Sequence, residues 1–379
     1  MKNYIISILF FLDITSISTY AQPFINIASY DNNRHGINNN VRHIIQDKTG
    51  LIWLSTYDGL YKFDGNSFTC YKATIDNDSP LISNHIEQLC ENSNQDLWCL
   101  VKNKPFLFER PQNRFSQPNN IKSDTLFNQW DIDNIYNISG KTIFTTNKGG
   151  VFSINDIDHS HISHLFIPEK PISYPIHQII NDQQEGFWIF FKDKTIIIHR
   201  NSQITFNSSF QQMIETVDRY WLISNNGQIA YTDSLYSTPQ ILPNPYQIRK
   251  IHSSLKYKEK FIYFATDQGI LILNTQNHEQ QFYHLPISSM EAEQLYIDSQ
   301  DQLWISTNQA IVLKMKLTTH KLEIINIQTK HPQENVNIHS FIEETPYISD
   351  LQKKFYKYYL NARYELIIKP AHAKIVGKS

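Results

Sequence analysis

Aromatic residues recur at a regular interval along the chain, and this interval constrains the fold more than any other feature. Trp53 and Trp98 lie 45 residues apart in similar local sequences, and two further steps of 45 residues reach Ile143 and Trp188. The series continues with Trp221, Tyr263 and Trp304. A repeat of roughly 40–50 residues that is rich in strand formers is typical of a β-propeller. The seven copies therefore predict an all-β fold, a seven-bladed β-propeller with four antiparallel strands in each blade.

The first copy shows how one blade is built. It divides into short runs of β-branched and aromatic residues, and we predict strands at residues 41–46, 51–56, 59–63 and 67–72. Gly65 lies between the last two runs, where a tight hairpin turn needs a residue that adopts positive φ without steric cost.

Three kinds of residue recur in fixed relation to the aromatic position. Asp or Asn stands six residues before it, at Asp47, Asn92, Asn137, Asp182 and Asp298. Such a side chain can accept a hydrogen bond from the backbone two residues on and fix the turn between the first two strands. Ser or Thr stands three residues after it, at Thr56, Thr146, Ser224, Thr266 and Thr307. Glycine opens the third strand, where we expect positive φ or close backbone contact, at Gly59, Gly149, Gly227 and Gly269.

The repeated aromatic side chains are predicted to pack between neighbouring blades as core. Burial of about 200 Å² of tryptophan surface stabilises a fold by at most about 5 kcal/mol. The step from Trp188 to Trp221 is only 33 residues, so we expect either a short fourth strand or shortened loops between blades 4 and 5.

The first 21 residues have the features of a secretory signal peptide. Lys2 provides a positive start, residues 5–12 are apolar, and Thr19-Tyr20-Ala21 provides a cleavage site before Gln22. The apolar run is too short for the alternative, an uncleaved membrane-spanning anchor. We therefore expect export to the periplasm and a propeller over residues 22–334.

Two segments compete for the fourth strand of the last blade. Residues 24–30 resemble a fourth strand that lacks its own blade, and residues 321–327 follow the third strand of blade 7 directly. Residues 335–344 resemble the first strand of an eighth repeat, and residues 345–379 depart from the pattern. We expect a diverged or truncated C-terminal tail over residues 335–379.

Composition narrows the choice of partners and chemistry. The net charge of −2 gives no electrostatic basis for binding nucleic acid. The three cysteines cannot all pair, and we predict no essential disulfide. The chain has no phosphate-binding loop, no nucleophile elbow and no His-Glu-x-x-His or Cys-x-x-Cys motif, so we predict no cofactor and no catalytic residue.

Residues 44–65 closely resemble the two-component regulator propeller repeat. The resemblance extends over residues 24–344 and is strongest in blades 1 and 7. It implies the extracytoplasmic sensor of a hybrid two-component system, with oligosaccharides as the usual ligands. It also implies a second propeller, an immunoglobulin-like domain, a membrane helix, a histidine kinase, a receiver and a DNA-binding domain. We find no sequence pattern for those parts, and we expect a sensor without its kinase and DNA-binding parts, with a second propeller or a homodimer as partner.

The predicted topology indicates where a ligand would bind. Loops that join the second and third strands fall on the same face as loops that lead from one blade to the next. Amides, carboxylates and aromatic rings in these loops suit the hydroxyls and C–H faces of sugars. The candidate residues are Arg34, His35, Tyr57, Asp58, Lys148, Tyr174, His177 and Asp267, with the amides Asn147, Asn225, Asn226, Gln268, Asn308 and Gln309 as further loop residues. Trp130, the one tryptophan outside the repeat register, is a candidate stacking platform where blade 3 begins.

Two alternatives remain beside the sensor. A glycosidase or polysaccharide lyase would need two facing carboxylates about 5–10 Å apart, and Asp58 and Asp267 are the pair to examine. A protein-interaction scaffold would show a contiguous apolar patch. A histidine cluster, His159, His161 and His164 with Asp156 and Asp158, has metal-binding residue types. Its polar alternation is typical of an outer strand, and we predict no metal site.

Overall fold

The computed structural model describes residues 27–31, 40–73, 81–157, 159, 161–172, 174–181, 186–199, 202–234, 237–287 and 289–317, and four short strands in the tail. The chain divides into two units, Phe24–Leu317 and a unit made of Met1–Pro23 and Thr318–Ser379. The predicted signal peptide, Arg34, His35 and residues 321–327 lie outside the described residues. None of the described helices is long and apolar enough to cross a bilayer.

The unit Phe24–Leu317 is made of seven four-stranded antiparallel sheets, which confirms the predicted propeller. Blade 1 contains β2 (Val41–Gln46), β3 (Ile52–Thr56), β4 (Gly59–Phe63) and β5 (Phe68–Tyr71). Blade 2 contains β6 (Ile86–Glu91), β7 (Leu97–Val101), β8 (Lys104–Glu109) and β9 (Arg114–Ser116). Blade 3 contains β10 (Ile132–Ile138), β11 (Lys141–Thr146), β12 (Val151–Ile154) and β13 (Ile162–Phe166). Two short helices, α1 (Asn119–Ser123) and α2 (Thr125–Asn128), lie between blades 2 and 3.

The remaining blades follow the same order. Blade 4 contains β14 (Gln178–Asn181), β15 (Phe187–Phe190), β16 (Lys194–His199) and β17 (Ser202–Asn207). Blade 5 contains β18 (Gln212–Glu215), β19 (Tyr220–Ile223), β20 (Ile229–Thr232) and β21 (Gln240–Ile241). Blade 6 contains β22 (Ile251–Tyr257), β23 (Phe261–Thr266), β24 (Gly269–Asn274) and β25 (Gln280–His284). Blade 7 contains β26 (Ala292–Ile297), β27 (Gln302–Thr307) and β28 (Val312–Lys316), with β1 (Ile27–Tyr30) as its fourth strand.

The tail unit contains two separate hairpins. In one, β29 (Phe341–Glu343) pairs with β30 (Tyr356–Tyr358), and in the other β31 (Ile367–Ile368) pairs with β32 (Ile375–Val376).

Strand β1 closes the ring. It pairs antiparallel with β28, with Ile27 opposite Met315 and Tyr30 opposite Val312. The ring of Tyr30 stacks on Trp304 of the same blade, with centroids 5.7 Å apart, and meets Phe63 of blade 1 edge-on. Of the two candidate segments, the N-terminal one therefore contributes this strand. The last blade combines strands from both ends of the unit, so β1 covers the outer edge of β28 and closes the ring.

The repeated aromatic side chains pack between blades, as predicted. Trp53 meets Phe108 of blade 2 edge-on at 5.5 Å, and Trp98 meets Phe144 of blade 3 at 5.3 Å. Trp53, Trp98, Trp221 and Trp304 are each at most 2% exposed, whereas Trp188 keeps 6%. Each indole packs in the gap between its own sheet and the next one and so sets the spacing of the ring.

A single aspartate holds both the turn and the indole. Asp47 Oδ1 accepts hydrogen bonds from the backbone N–H groups of Thr49 and Leu51, at 2.9 and 3.0 Å. Its Oδ2 accepts the indole N–H of Trp53 at 2.6 Å. Asp298 repeats both roles in blade 7, with the Trp304 indole at 2.8 Å. The turns predicted at Asp47 and Asp298 are therefore confirmed. The hydrogen bond from the indole N–H to the same carboxylate was not predicted from the sequence.

Two other copies depart from this arrangement. Asn92 caps its turn through the N–H groups of Asn94 and Asp96, but the indole N–H of Trp98 has no partner among the described residues. The turn predicted at Asn137 is wrong. This residue lies within β10, and its amide donates to Asp156 instead. Asp182 lies outside the described residues.

The Ser/Thr and glycine positions close the hairpins between second and third strands. Thr266 Oγ1 donates to the carbonyl of Gly269 at 2.9 Å and accepts from its N–H at 3.1 Å. Gly269 has φ of 149°, and a Cβ there would lie 2.2 Å from the carbonyl oxygen of Tyr283. Both the predicted positive φ and the predicted close backbone contact are therefore present.

Polar side chains on the first strands connect neighbouring blades. The Gln88 amide donates to the carbonyl of Ile135 at 3.0 Å and accepts from its N–H at 2.8 Å. Gln178 makes the same pair of bonds to Met213 in the next blade. The seven residues at this register position are His43, Gln88, Asn134, Gln178, Gln212, Ser253 and Gln294.

The short step between Trp188 and Trp221 has a simple origin. Strand β17, the fourth strand of blade 4, spans six residues, so it is not short. Only residues 208–211 link it to β18 of the next blade, which shows that the connections are reduced. The short fourth strand is instead in blade 5, where β21 has only two residues.

We predict that His43→Gln stabilises the ring. Burial lowers the pKa of His43 to about 4, and its Nδ1 has no partner among the described residues. Leu89 has the same register position in blade 2 as Ile135, the partner of Gln88, has in blade 3. A glutamine at position 43 can therefore reach the backbone of Leu89. Two new hydrogen bonds should add about 1 kcal/mol to the free energy of unfolding at pH 8, measured by urea denaturation.

The pH dependence provides an internal check. The unfolded state binds a proton at His43 near pH 6.5 and the folded state only near pH 4, so wild-type stability falls as the pH drops through this window. The advantage of His43→Gln should therefore grow between pH 8 and pH 4. The exposed control His161→Gln should change little, and an equal effect of both substitutions would contradict the prediction.

Candidate functional site

The alternating strand directions bring two sets of loops to one face of the ring, which we call the loop face. It carries the hairpins between second and third strands and the links from each blade to the next. Of the predicted residues, Tyr57, Asp58, Lys148 and Asp267 lie in the hairpins, and Trp130, Tyr174 and His177 lie in the links before β10 and β14.

A series of β-bulges places titratable side chains at this end of the first strands. The register shifts in blades 1, 2, 3, 6 and 7, each time after the first residue of the strand. The extra residues are Arg42, Glu87, Asp133, His252 and Glu293. Bulges re-aim side chains and are common beside binding sites. First strands of neighbouring blades contact each other, so these residues form a partial ring on the loop face.

Sequence reasoning missed this ring. The sequence signal that could have indicated the bulges is an apolar residue followed directly by a charged or titratable one at the start of a first strand. Examples are Ile86-Glu87 and Ile132-Asp133. A bulge is not recognisable from that pattern alone, because one extra residue changes the alternation only locally.

Tyr57 forms an exposed aromatic platform. Its side chain is 44% exposed, and its ring stacks on His85 of the neighbouring blade with centroids 4.2 Å apart. The guanidinium of Arg42 lies 5.5 Å from the Tyr57 ring centroid. Burial lowers the pKa of His85, so this imidazole is predominantly neutral at pH 7. His85 and Arg42 hold the tyrosine ring in place at the boundary between blades 1 and 2.

Blade 4 provides a second exposed tyrosine. Tyr174 is 41% exposed, and the ammonium of Lys192 lies 5.6 Å from its ring centroid. Burial, together with the nearby Lys192 charge, lowers the pKa of His177. Tyr57 and Tyr174 therefore share an arrangement in which an exposed ring has a cation beside it on the loop face. The backbone carbonyl of Lys148 accepts from the N–H of Ile172 at 3.0 Å.

Trp130 lies where it was predicted, two residues before β10. Its ring packs on Gly150, where an added Cβ would come within 2.5 Å of the indole Cζ3. It also meets Phe152 edge-on, with centroids 6.4 Å apart, and is partly buried. This contact requires glycine at position 150 and fixes the plane of the indole beside the first strand of blade 3.

The two carboxylates of the catalytic alternative are each engaged within their own part of the ring. Asp58 Oδ2 lies 2.6 Å from the ammonium of Lys72. Asp267 Oδ1 accepts from the N–H groups of Arg249 and Lys250, both at 3.3 Å. These contacts help to fix the loops in which Asp58 and Asp267 lie.

Asp133 is the most perturbed carboxyl group of the loop face. Burial raises its pKa to about 6, and the nearby carboxylates of Asp131 and Glu87 contribute to the increase. Its Oδ2 is buried and has no hydrogen-bond partner among the described residues. A carboxyl group in this state can donate or accept a hydrogen bond near neutral pH.

The histidine-rich segment does not assemble into a common site within the described part of the chain. Strand β13 begins at Ile162, so His159 and His161 precede the outer strand and are not part of it, contrary to the sequence prediction. His159 lies 3.2 Å from Asp96, whereas His164 lies 3.3 Å from Asp124. Among the described residues, no group of three potential metal ligands comes together.

The comparisons with known proteins agree with the repeat. Residues 35–58 match the family described as "Two component regulator propeller", which confirms the resemblance. A search of curated proteins finds no match. The fold is thus a β-propeller, and its first blade contains a segment similar to the two-component regulator propeller repeat.

Two similar solved structures are extracellular domains of two-component systems. That of the hybrid two component system BT3049 from B. thetaiotaomicron has 17% identity and a TM-score of 0.64, and the match covers 93% of this chain and 49% of that domain. That of BT4673 from B. thetaiotaomicron, also a hybrid two component system, has 15% identity and a TM-score of 0.60, covering 83% of this chain and 46% of that domain. The chain thus spans about half the length of these domains.

An enzyme shares the same architecture. Virginiamycin B lyase from Staphylococcus aureus has 15% identity and a TM-score of 0.59, and the match covers 77% of this chain and 99% of the lyase. At such identities the structural likeness concerns the fold alone.

Loss of the Asp133 carboxylate should make stability less dependent on pH. The folded state binds this proton near pH 6 and the unfolded state near pH 3.8, so wild-type stability falls as the pH rises between these values. Asp133→Asn should therefore be more stable than wild type at pH 7, by about 1 kcal/mol after allowance for solvent screening. The difference should vanish below pH 4, as measured by urea denaturation across this range.

The exposed turn residue Asp64 gives a control of opposite sign. Hydrogen bonds from the backbone of Ser67 and Asn66 lower its pKa, so its carboxylate stabilises the fold above its unfolded pKa. Asp64→Asn should lose stability at pH 7. If Asp133→Asn also lost stability at pH 7, the assignment of a strained buried carboxyl group would be wrong.

Proposed function

We propose that this chain is the ligand-binding propeller of an extracytoplasmic two-component sensor, that it acts in the periplasm without catalysing a reaction, and that its loop face binds an oligosaccharide. The observation that carries the proposal is the pair of exposed tyrosines, Tyr57 and Tyr174, each held beside a cation. Pyranose rings present C–H faces that stack on such aromatic surfaces. The similarity of the fold to extracellular sensor domains supports the same assignment.

The bulge ring supplies the polar part of the proposed site. Sugar hydroxyls both donate and accept hydrogen bonds, so they need acceptors and donors close together. Glu87 and Asp133 provide acceptors at one side of the ring, and Arg42 provides a donor beside Tyr57. Trp130 adds an indole close to Asp133. A ligand that spans blades 1 to 3 would contact all of these groups.

Signalling would depend on a partner. Because the chain covers about half of the matched sensor domains, we propose that a second propeller or a second copy of this chain completes the sensing unit. A ligand can change the equilibrium between two arrangements of such an assembly only if it binds the two arrangements with different affinities.

The binding proposal is tested with the purified propeller on an array of plant, fungal and host oligosaccharides, followed by calorimetry with the best ligand. Tyr57→Ala should weaken binding about tenfold, since loss of one stacking contact corresponds to about 1.4 kcal/mol. Tyr57→Phe keeps the ring and should bind nearly as wild type does. A folded sample that binds no oligosaccharide, or equal losses for the two substitutions, would contradict the proposal.

A catalytic function is the second candidate, and one observation favours it. Asp133 has a pKa of about 6, which suits a general acid or base at neutral pH. Glycosidase or lyase activity would release new chain ends from polysaccharides incubated with the protein, and Asp133→Asn would abolish the release. Binding without any product identifies the sensor.

A further inference from the structure

The boundary between blades 4 and 5 is less tightly filled than the other described tryptophan seams. Trp188 retains 6% exposure, compared with at most 2% for Trp53, Trp98, Trp221 and Trp304. Blade 5 has an outer strand of only two residues, β21, so the outer part of the seam lacks the cover that longer fourth strands give elsewhere. A cavity therefore remains beside the Trp188 indole.

This seam cavity has a volume of about 400 Å³. Its walls include Trp188, Phe190, Phe206, Phe210 and Met213. Phe190 lies nearly parallel to Trp188 with centroids 6.5 Å apart, and Phe206 meets the indole edge-on at 6.1 Å. No described residue that lines the cavity carries a formal charge. Cavities of about 300–1,000 Å³ with apolar and aromatic walls are typical of small-molecule sites.

Thr195 is a buried polar residue of the wall whose hydroxyl lacks a partner among the described residues. Thr195 is fully buried, lines the cavity, and its Oγ1 makes no hydrogen bond with any described residue. Two other hydroxyls of the lining already have partners, because Ser208 donates to the carbonyl of Phe210 and Thr232 donates to that of Ser234. A buried hydroxyl without a partner costs free energy that a suitably placed ligand atom would recover.

We propose that the seam cavity binds a small, uncharged aromatic molecule with one hydrogen-bonding substituent, which pairs with Thr195 Oγ1. The aromatic walls fit flat rings, and the absence of charged lining side chains disfavours ionic ligands. None of these residues is among the loop-face candidates, so this site is independent of the proposed oligosaccharide site.

The test uses 2-naphthol as the probe and naphthalene as its counterpart without the hydroxyl, with binding followed by fluorescence titration. Wild-type protein should bind 2-naphthol more tightly than naphthalene. Phe206→Ala removes part of a wall at a residue that is 39% exposed, so the fold should persist. It should weaken 2-naphthol binding about tenfold, the effect of about 1.4 kcal/mol of lost contact. The matched control is Ile204→Ala, which lies on the same strand, is 55% exposed and does not line the cavity.

Thr195→Val separates the hydroxyl from the shape of the cavity. The substitution keeps the volume of the side chain and should remove the preference for 2-naphthol over naphthalene, while naphthalene binding stays unchanged. Without ligand, the variant should melt at or above the wild-type temperature, because it loses an unpaired buried hydroxyl. No binding of 2-naphthol to folded wild type, equal losses in Phe206→Ala and Ile204→Ala, or an unchanged preference in Thr195→Val would each overturn the proposal.

Discussion

The hydrogen bond between a buried carboxylate and an indole N–H anchors blades 1 and 7, the two blades between which the ring closes. In blade 1, Asp47 binds the turn between two strands with one oxygen and Trp53 with the other. Arg110 of blade 2 lies 3.5 Å from the same carboxylate and 5.7 Å from the indole ring centroid. One side chain thus ties together a turn, the aromatic wedge and the neighbouring blade. Because the wedge sets the separation of adjacent sheets, it also fixes how the sheets close into a circle.

Because contacts between the blades hold the ring together, the loop face is available for recognition. The hairpins are closed by Ser/Thr and glycine, so their tips can carry side chains such as Tyr57 without weakening the sheets. The bulges at the start of the first strands turn titratable residues toward the same face. Rigid strands with variable loops are the usual basis of binding sites, since the scaffold holds the loop residues in position. The same construction explains why one propeller fold supports both sensor domains and a lyase.

The sequence predicted the parts of the fold that repeat locally. The aromatic interval, the aspartate six residues earlier and the glycine at the third strand lie within one unit, so their spacing is visible along the chain. Contacts between neighbouring blades do not show such a regular spacing along the sequence. The partner of Gln88 is Ile135, 47 residues away, and the stacking of Tyr57 on His85 joins two blades. Asn137 shows the converse error, because its spacing matched the repeat while its turn is built differently. The described candidate loops lie on the predicted face, but the bulge ring and the buried position of Thr195 depend on register and packing that one sequence does not display.

The most direct test of the account is the free energy of unfolding of Asp47→Asn in urea, compared with the exposed turn substitution Asp64→Asn. Asparagine keeps an oxygen for the turn but offers an N–H₂ group to the Trp53 indole, which is also a donor. The buried pair would then be lost, and we expect a loss of about 2–4 kcal/mol in a single cooperative transition. A loss no larger than that of Asp64→Asn would contradict the central role of the carboxylate–indole bond.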